Sequence, residues 1–513
     1  MKKLLKRLSS RLFITAIIIL LQFAWIAYTL YEASEVNPFF ALGIRIVSVV
    51  FALYVVYKHI KKSNKLSWVF LILFVPIIGV PCYFLFGRSE MTKRFRERMN
   101  SLEELIAPLR IRQELVEDHL KVIGGMASKQ SAYIQNVGNY PVYMEKDSKY
   151  YKSGEAAFPD MLEDLKNAKK FIFVEFFIME PGKMFDSIVD ILEEKAKEGV
   201  QVRLIYDDMG CVDKLPPHYY RTLQKKGIHC ACFNPFRPFL SIVMNNRDHR
   251  KILVIDGEIA YTGGINLADE YINEIERFGY WKDAALRITG DCVWNFTSMF
   301  LEMWSYITKG TEDFNKFKVV SNDNAALISN GKGFVQPFGD SPLDKKCIGE
   351  AVYLNLINNA RKYVYIFTPY LIIGEELATA LTNAAQSGVD VRIVTPEIPD
   401  KKMVFLVTQA NYENLIRGGV KIYQYTPGFI HSKCFVVDDE FASVGTINLD
   451  FRSLYLHFEC GTWMYKTECI SQVKEDALET FQVSREISLE QCENTNIVFQ
   501  LVLSVLRLFA PLL

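Results

Sequence analysis

The chain has 513 residues, with 59 basic and 59 acidic residues and a formal net charge of zero. This length predicts two or three domains, and the balanced charge gives no overall attraction to a nucleic-acid backbone, so a nucleic-acid partner is not expected. The ten cysteines include no C-x-x-C pair, which argues against a structural zinc site or a disulfide framework.

Residues 1–87 contain three apolar runs, at Leu12–Leu30, Pro38–Tyr57 and Leu66–Phe86. Because about 20 apolar residues in a helix span the hydrocarbon of a bilayer, these runs predict two or three transmembrane helices. Two prolines and a glycine in the third run allow it to bend or re-enter. A cleaved signal peptide is the alternative for the first run, but no small-x-small cleavage site follows it.

Basic residues flank these runs at the N-terminus and in residues 58–65, whereas residues 32–35 are acidic. The positive-inside rule therefore predicts a multi-pass protein of the cell membrane with both basic segments in the cytoplasm. The basic residues after the third run and the free cysteines favour a cytoplasmic catalytic part. The third run leaves the membrane face of that part open.

Residues 88–130 are rich in charge and carry a helical apolar stripe at Leu102, Leu105, Ile106 and Leu109. This pattern predicts a charged helical linker between the membrane region and the catalytic body.

Two similar series of elements follow, in residues 131–320 and 321–490. Each has an apolar strand after an Asn-Ala-basic-Lys sequence, then a helix (185–197 or 375–386), then a second strand. Alternating strands and helices predict an α/β architecture with two related halves. The last segment, 491–513, is predicted to be an apolar C-terminal helix, either at the membrane interface or packed on the core.

Two stretches share the pattern H-x-K-x4-D-x6-G-x-x-N, from His249 to Asn266 and from His431 to Asn448. A lone H-x-K is more often an ordinary strand sequence than a catalytic one. A duplicate in the same register reverses those odds and predicts two homologous half-sites. The glycine of each copy is predicted to allow close approach of the backbone.

Two histidines that face each other can divide a displacement at phosphorus, one as nucleophile and one as acid. His249 and His431 are the candidates. Lys251 and Lys433 lie two residues further along a strand, so they point to the same side as the histidines and can neutralise phosphate oxygens. With two lysines in this role, no metal and no cofactor is expected.

Further polar residues complete the predicted site, namely Asn266, Asn448, Asp256, Asp438, Asp283 and Glu459. The asparagines are predicted to bind substrate by donating hydrogen bonds to developing charge. The motif aspartates are counted with the catalytic set, although their place at the start of a turn predicts a structural role. Asp283 and Glu459 are candidates for supporting carboxylates that give the two histidines different pKa values.

The duplicated motif resembles that of the phospholipase D superfamily. Within it the chain is most similar to the bacterial cardiolipin synthases, from about Lys65 to the C-terminus. The supporting stretches are Lys65–Trp68, Phe86–Arg88, Trp281–Asp283, Thr368–Tyr370 and Arg507–Leu513. The resemblance implies two pseudo-symmetric phospholipase D-like α/β halves with one shared active site, preceded by transmembrane helices.

The resemblance also implies a membrane enzyme that acts on phosphatidylglycerol. One phosphatidylglycerol would give its phosphatidyl group to His249 and release glycerol, and a second would take the group to form cardiolipin. His431 would act as acid and then as base. The oligomeric state is left open.

Two other functions are compatible with the motif. A membrane-bound phosphodiesterase of the phospholipase D type would use water as the acceptor, and a membrane scaffold would retain the fold without activity. An apolar segment at residues 233–244 favours a lipid substrate if it lines an acyl entrance, whereas packing against the body is its alternative.

Overall fold

The computed structural model describes residues 38–57, 62–83, 93–235, 245–319, 324–343 and 347–493, with a few isolated positions before residue 33 and after residue 502. The first apolar run, most of segment 233–244 and nearly all of the C-terminal apolar segment lie outside the described residues.

The membrane region contains three described helices, α1 (Pro38–Tyr57), α2 (Lys62–Phe74) and α3 (Pro76–Cys82). Among the described residues, only α1 is long and apolar enough to cross a membrane. The third apolar run is broken between α2 and α3, because Pro76 starts a new helix. Gly79 lies so close to the Leu71 carbonyl that a Cβ there would be 2.4 Å from it, so α3 folds back against α2. The predicted bend is therefore present.

Three linker helices follow, α4 (Lys93–Ile106), α5 (Glu114–Ile123) and α6 (Gly125–Gly138). The buried stripe of α4 is formed by Phe95, Met99, Leu102 and Ile106, and it joins the main hydrophobic core. Leu105, which the sequence pattern placed in the stripe, is 53% exposed. The linker thus packs on the catalytic body through one helical face, and its charges lie on the other.

The described residues of the first half form nine strands and four helices. The strands are β1 (Tyr143–Met144), β2 (Asp147–Tyr151), β3 (Phe171–Phe176), β4 (Gln201–Asp207), β5 (His229–Phe233), β6 (Ile252–Ile255), β7 (Ile259–Gly263), β8 (Tyr280–Lys282) and β9 (Ala285–Thr289). The helices are α7 (Gly154–Lys166), α8 (Lys183–Lys197), α9 (Tyr220–Lys225) and α10 (Val293–Thr308).

In the second half, the part of the chain that the structure describes forms nine strands and eight helices. The strands are β10 (Phe334–Asp340), β11 (Tyr363–Phe367), β12 (Asp390–Pro396), β13 (Lys421–Tyr425), β14 (Gly428–Ile430), β15 (Cys434–Val437), β16 (Phe441–Gly445), β17 (Glu459–Tyr465) and β18 (Ser484–Glu486). The helices are α11 (Asn324–Ser329), α12 (Ile348–Asn358), α13 (Glu375–Gln386), α14 (Lys402–Gln409), α15 (Tyr412–Arg417), α16 (Phe451–Tyr455), α17 (Ile470–Gln482) and α18 (Leu489–Glu493).

Each half is built on a mixed sheet, and the two sheets share one strand order. The first reads β2-β9-β7-β6-β3-β4-β5, and the second contains β17-β16-β15-β11-β12-β13 in the equivalent places. In both sheets the motif strand runs antiparallel to its central neighbour: β6 pairs with β3, and β15 pairs with β11. The prediction of two pseudo-symmetric α/β halves is confirmed.

The motif strands are apolar because both faces of each sheet are covered. All four residues of β6 and all four of β15 are buried, and each such side chain contributes about 1.5 to 3 kcal/mol through burial. Gly263, with a φ of +147°, ends β7 against the Ala284 carbonyl, where a Cβ would be 2.2 Å from the oxygen. The close backbone approach predicted for the motif glycines is present here.

Candidate active site

The two motif histidines line one pocket of about 690 Å³ at the junction of the halves. Each is fixed by a backbone hydrogen bond to the opposite half. The His249 amide donates to the Phe458 carbonyl at 2.9 Å, and the His431 amide donates to the Lys282 carbonyl at 2.7 Å. The site is therefore assembled from residues that lie far apart in the sequence.

The supporting carboxylates are exchanged between the halves. His249 Nδ1 lies 2.9 Å from Oε1 of Glu459, which belongs to the second half. His431 Nδ1 lies 2.7 Å from Oδ2 of Asp283, which belongs to the first half. A carboxylate at Nδ1 orients the ring and leaves Nε2 for chemistry. Among the described residues, each motif histidine is thus hydrogen-bonded to a carboxylate of the opposite half.

The two carboxylates differ in charge. Burial raises the pKa of Glu459 to about 8, although Lys251 opposes the shift. Burial acts in the same direction on Asp283, but His431 and Lys433 hold its pKa below the ordinary value. At neutral pH Asp283 is therefore ionised, whereas most of Glu459 is protonated. This difference separates two histidines that the motif makes equivalent.

Both motif histidines are neutral near pH 7. Burial, followed by the charge of Lys251, places the pKa of His249 well below its ordinary value. Burial and Lys433 lower the pKa of His431 to about 4, while Asp283 opposes that shift. A bound phosphodiester brings a negative charge that favours protonation. Because Asp283 is ionised, that charge favours an imidazolium at His431 over one at His249.

The two motif lysines are buried beside the histidines and directly precede β6 and β15. Each Nζ donates a hydrogen bond to the carbonyl of the histidine two residues before it. Burial lowers the pKa of Lys251 to about 8 and that of Lys433 to about 7. A phosphate anion between them restores their charges, because an opposite charge favours the ionised form.

Both motif asparagines line the pocket. Asn266 Oδ1 accepts a hydrogen bond from the Ile178 amide at 3.0 Å, and its Nδ2 donates to the Tyr271 hydroxyl at 2.7 Å. Asn448 Oδ1 has no hydrogen-bond partner among the described residues. In this arrangement Asn448 is the better placed of the two to bind substrate, because the amide group of Asn266 already has two protein partners.

Asp256 and Asp438, the motif aspartates, hold backbone amides and do not line the pocket. Asp256 follows β6 and accepts hydrogen bonds from the amides of Lys169, Lys170 and Phe171 at 2.6 to 2.9 Å. Asp438 accepts hydrogen bonds in the same way from three successive amides, 361 to 363, at the start of β11. Each carboxylate joins the motif strand to the start of its neighbour, in agreement with the structural role predicted from the turn.

Replacement of Asp256 or Asp438 by alanine is expected to destabilise the fold by about 1 to 3 kcal/mol, because three backbone amides lose their acceptor. Each variant should retain a near-normal kcat as long as it is folded. Thermal unfolding and initial rates of the same preparation separate the two effects. A large loss of kcat without a lower Tm would contradict the structural role.

Several pocket residues outside the motif were not predicted as site residues: Lys214, Arg247, Arg277, Lys401, Arg452 and His457. His457, like His431, is a histidine of the second half that lines the pocket. Its ring centroid lies 5.7 Å from that of His249, and it lines the pocket. Position 457 is two residues before Glu459, as Trp281 is two before Asp283, and this symmetry is the signal that indicates a pocket position.

Among the described residues, one group has the spacing of metal ligands. The ligand atoms of His249, His457 and Glu459 lie within 4.8 Å of one another. The positive charges of Lys251, Arg247 and Arg452 lie close enough to lower the pKa of one or both of these histidines. Such surroundings disfavour a divalent cation and favour an anion.

Comparison with known proteins places this geometry in a family. Residues 161–284 and 353–480 match the family model described as "Cardiolipin synthase, PLD-like domain", and residues 46–88 match "Phospholipase_D-nuclease N-terminal". A cardiolipin synthase of Alkalihalophilus pseudofirmus is 33% identical over 91% of this chain and 94% of its own. The chain belongs to the cardiolipin synthase family. The resemblance inferred from the motif is thereby confirmed.

Two further comparisons found similar proteins. A Streptococcus mutans protein described as uncharacterized is 42% identical over 90% of this chain and 99% of its own length. The crystal structure of a phosphatidylserine synthase from Haemophilus influenzae superimposes with a TM-score of 0.56 at 17% identity, covering 75% of this chain and all of the other. At that identity the match supports the fold alone.

Proposed function

We propose that the protein is a cardiolipin synthase, a phosphatidyltransferase that converts two molecules of phosphatidylglycerol into cardiolipin and glycerol. The observation that carries the proposal is one pocket lined by two histidines, each paired with a carboxylate from the other half, with the two motif lysines buried beside them. The family match supports the same activity.

In the first step, Nε2 of His249 attacks the phosphorus of the donor lipid. The P–N bond forms as the P–O bond to the head-group glycerol breaks, and His431 gives its proton to the leaving oxygen. Lys251 and Lys433 neutralise the phosphate oxygens, and Asn448 adds a hydrogen bond. Glycerol leaves, and the phosphatidyl group stays on His249.

In the second step, the neutral His431 removes the proton from a glycerol hydroxyl of the acceptor phosphatidylglycerol. The new P–O bond forms as the P–N bond breaks, and the electron pair returns to His249. The proton that His431 gives up in the first step is replaced in the second, and His249 ends the cycle without the phosphatidyl group. No group outside the protein and the two lipids enters the balance.

The assignment of His249 as nucleophile and His431 as acid rests on their carboxylates. The nucleophile has to be neutral, and a protonated Glu459 gives no charge that favours an imidazolium at His249. The acid has to become positively charged, and the ionised Asp283 lies 2.7 Å from His431. Environments that separate two similar groups in this way define acid and nucleophile.

A membrane location fits the same activity. The described helix α1 is 20 residues long and mostly apolar, and the linker helix α4 packs directly on the body that carries the pocket. We infer a multi-pass protein of the cell membrane with the pocket on the cytoplasmic side, as the basic segments of the sequence predict.

Product analysis tests the proposal directly. Purified full-length protein mixed with phosphatidylglycerol vesicles should form cardiolipin and release an equal amount of glycerol. Chelation of divalent ions should leave the rate unchanged, since lysines neutralise the phosphate. Phosphatidic acid as the main product would overturn the proposal in favour of a hydrolase, and a strict need for a divalent ion would contradict the role of the lysines.

A further inference from the structure

The pseudo-symmetry of the halves is broken around the two histidines. The backbone pairing of Asp248 with Phe458 corresponds to that of Ile430 with Lys282, so equivalent positions can be matched across the pocket. Arg247 then corresponds to Phe429, and His457 corresponds to Trp281. Counting from the motif asparagines, Arg452 corresponds to Glu270.

The side of the pocket near His431 is aromatic. Tyr271, Trp281 and Phe429 surround this histidine with ring centroids 5.5 to 5.9 Å from its own. On this side of the pocket, Arg277 forms an ion pair with Glu270 at 2.7 Å. This wall suits the uncharged glycerol that His431 has to protonate.

The side near His249 carries cations in the equivalent positions. Burial, followed by the charges of Arg452 and Arg247, keeps the pKa of His457 well below its ordinary value, with smaller effects from Lys251 and Lys401. Four positive groups therefore lie close to this one ring. Burial and Arg247 also lower the pKa of Arg452, despite the opposing charge of Asp450.

His457 is a largely buried pocket residue whose Nδ1 lies 3.8 Å from Oε1 of Glu459. Its side chain is 11% exposed, and neither ring nitrogen has a hydrogen-bond partner among the described residues. A buried polar group in that state costs about 1 to 3 kcal/mol unless a ligand or water satisfies it. The ring lines the pocket, so a substrate atom can reach it.

Three carboxylates lie near these cations. Asp450 accepts a hydrogen bond from the Ser453 amide at 2.9 Å, and Asp400 accepts one from the Tyr370 hydroxyl at 2.6 Å. Asp207 accepts hydrogen bonds from the amides of Met209, Gly210 and Asp248 and lies 3.5 Å from Arg247 Nη1, so it holds that arginine in place. Arg247, Arg452 and His457 line the pocket together.

We propose that Arg247, Arg452 and His457 form a second phosphate subsite, which binds the unreacted phosphate of the acceptor lipid during transfer. This inference rests on the proposed function, in which both substrates are anionic lipids. The two phosphates of the product are joined by a single glycerol, so the second phosphate has to lie next to the first. Arginine suits it because a guanidinium binds phosphate oxygens in pairs.

The test compares two acceptors for the same phosphatidyl-enzyme. Cardiolipin formation uses phosphatidylglycerol as acceptor and needs the second subsite. Exchange of radiolabelled glycerol into phosphatidylglycerol uses a neutral acceptor and does not. Arg452→Gln and His457→Asn should each raise the KM for the acceptor lipid by about 10- to 100-fold, the loss expected for a hydrogen bond to a charged group. Exchange should fall by only a few-fold.

Two controls accompany these variants. Arg452→Lys keeps the charge and should recover part of the lost affinity, which a purely structural role would not produce. Arg417→Gln removes an exposed arginine outside the pocket and should match the wild-type protein in both reactions. Thermal unfolding of each variant confirms that it is folded.

Equal losses in exchange and transfer would overturn the inference, because the residues would then serve the reacting phosphate. Wild-type KM values in both variants would overturn it as well. A failure of the proposed function is distinguishable, since the wild-type protein itself would then form phosphatidic acid in place of cardiolipin.

Discussion

Replacement of His249 or His431 by alanine is expected to lower the rate of cardiolipin formation by at least about 10⁴-fold while the protein stays folded. Loss of one member of a catalytic pair that acts as a unit removes most of the rate enhancement. Cardiolipin formation from phosphatidylglycerol vesicles measures the loss, and thermal unfolding measures the fold.

The two variants should differ with an activated substrate. A phosphatidyl ester of nitrophenol has a leaving oxygen that needs no protonation, so His431→Ala should still release one equivalent of nitrophenol in a burst. His249→Ala should give no burst. His229→Ala, on the exposed end of β5, is the matched control and should be fully active. A burst from His249→Ala and none from His431→Ala would exchange the roles of the two histidines.

The second large effect is a difference in kcat between variants of the two carboxylates. Asp283→Asn should lower kcat by about 10³-fold, because the variant removes the charge that stabilises a protonated His431 and disturbs its orientation. Glu459→Gln should stay within about tenfold of the wild-type rate near pH 7. The reason is that burial keeps much of Glu459 protonated, and glutamine is a neutral group of the same shape.

Initial rates at pH 6.5 to 7.5 measure this difference, and Asp213→Asn, at an exposed position, controls for the loss of one carboxylate. Equal losses in Asp283→Asn and Glu459→Gln would contradict the assignment of different charges to the two carboxylates. A larger loss in Glu459→Gln would assign the role of acid to His249.

The sequence determined the composition of the site, because a duplicated motif records chemistry in fixed spacing. It predicted the histidine and lysine of each half, the apolar strands Ile252–Ile255 and Cys434–Val437, and the helix at 375–386, all with the observed bounds. Periodicity of apolar residues is a local property of the chain, so local elements can be inferred from it. The turn position also predicted the structural role of Asp256.

The tertiary structure alone decided how these parts combine. That Glu459 serves His249 and Asp283 serves His431 depends on backbone pairing across the two halves, which no local pattern records. The opposite pKa shifts of the two carboxylates arise from burial and from charges brought close by folding. The pocket position of His457 has the same origin, since its neighbours Arg247 and His249 are about two hundred residues away in the chain.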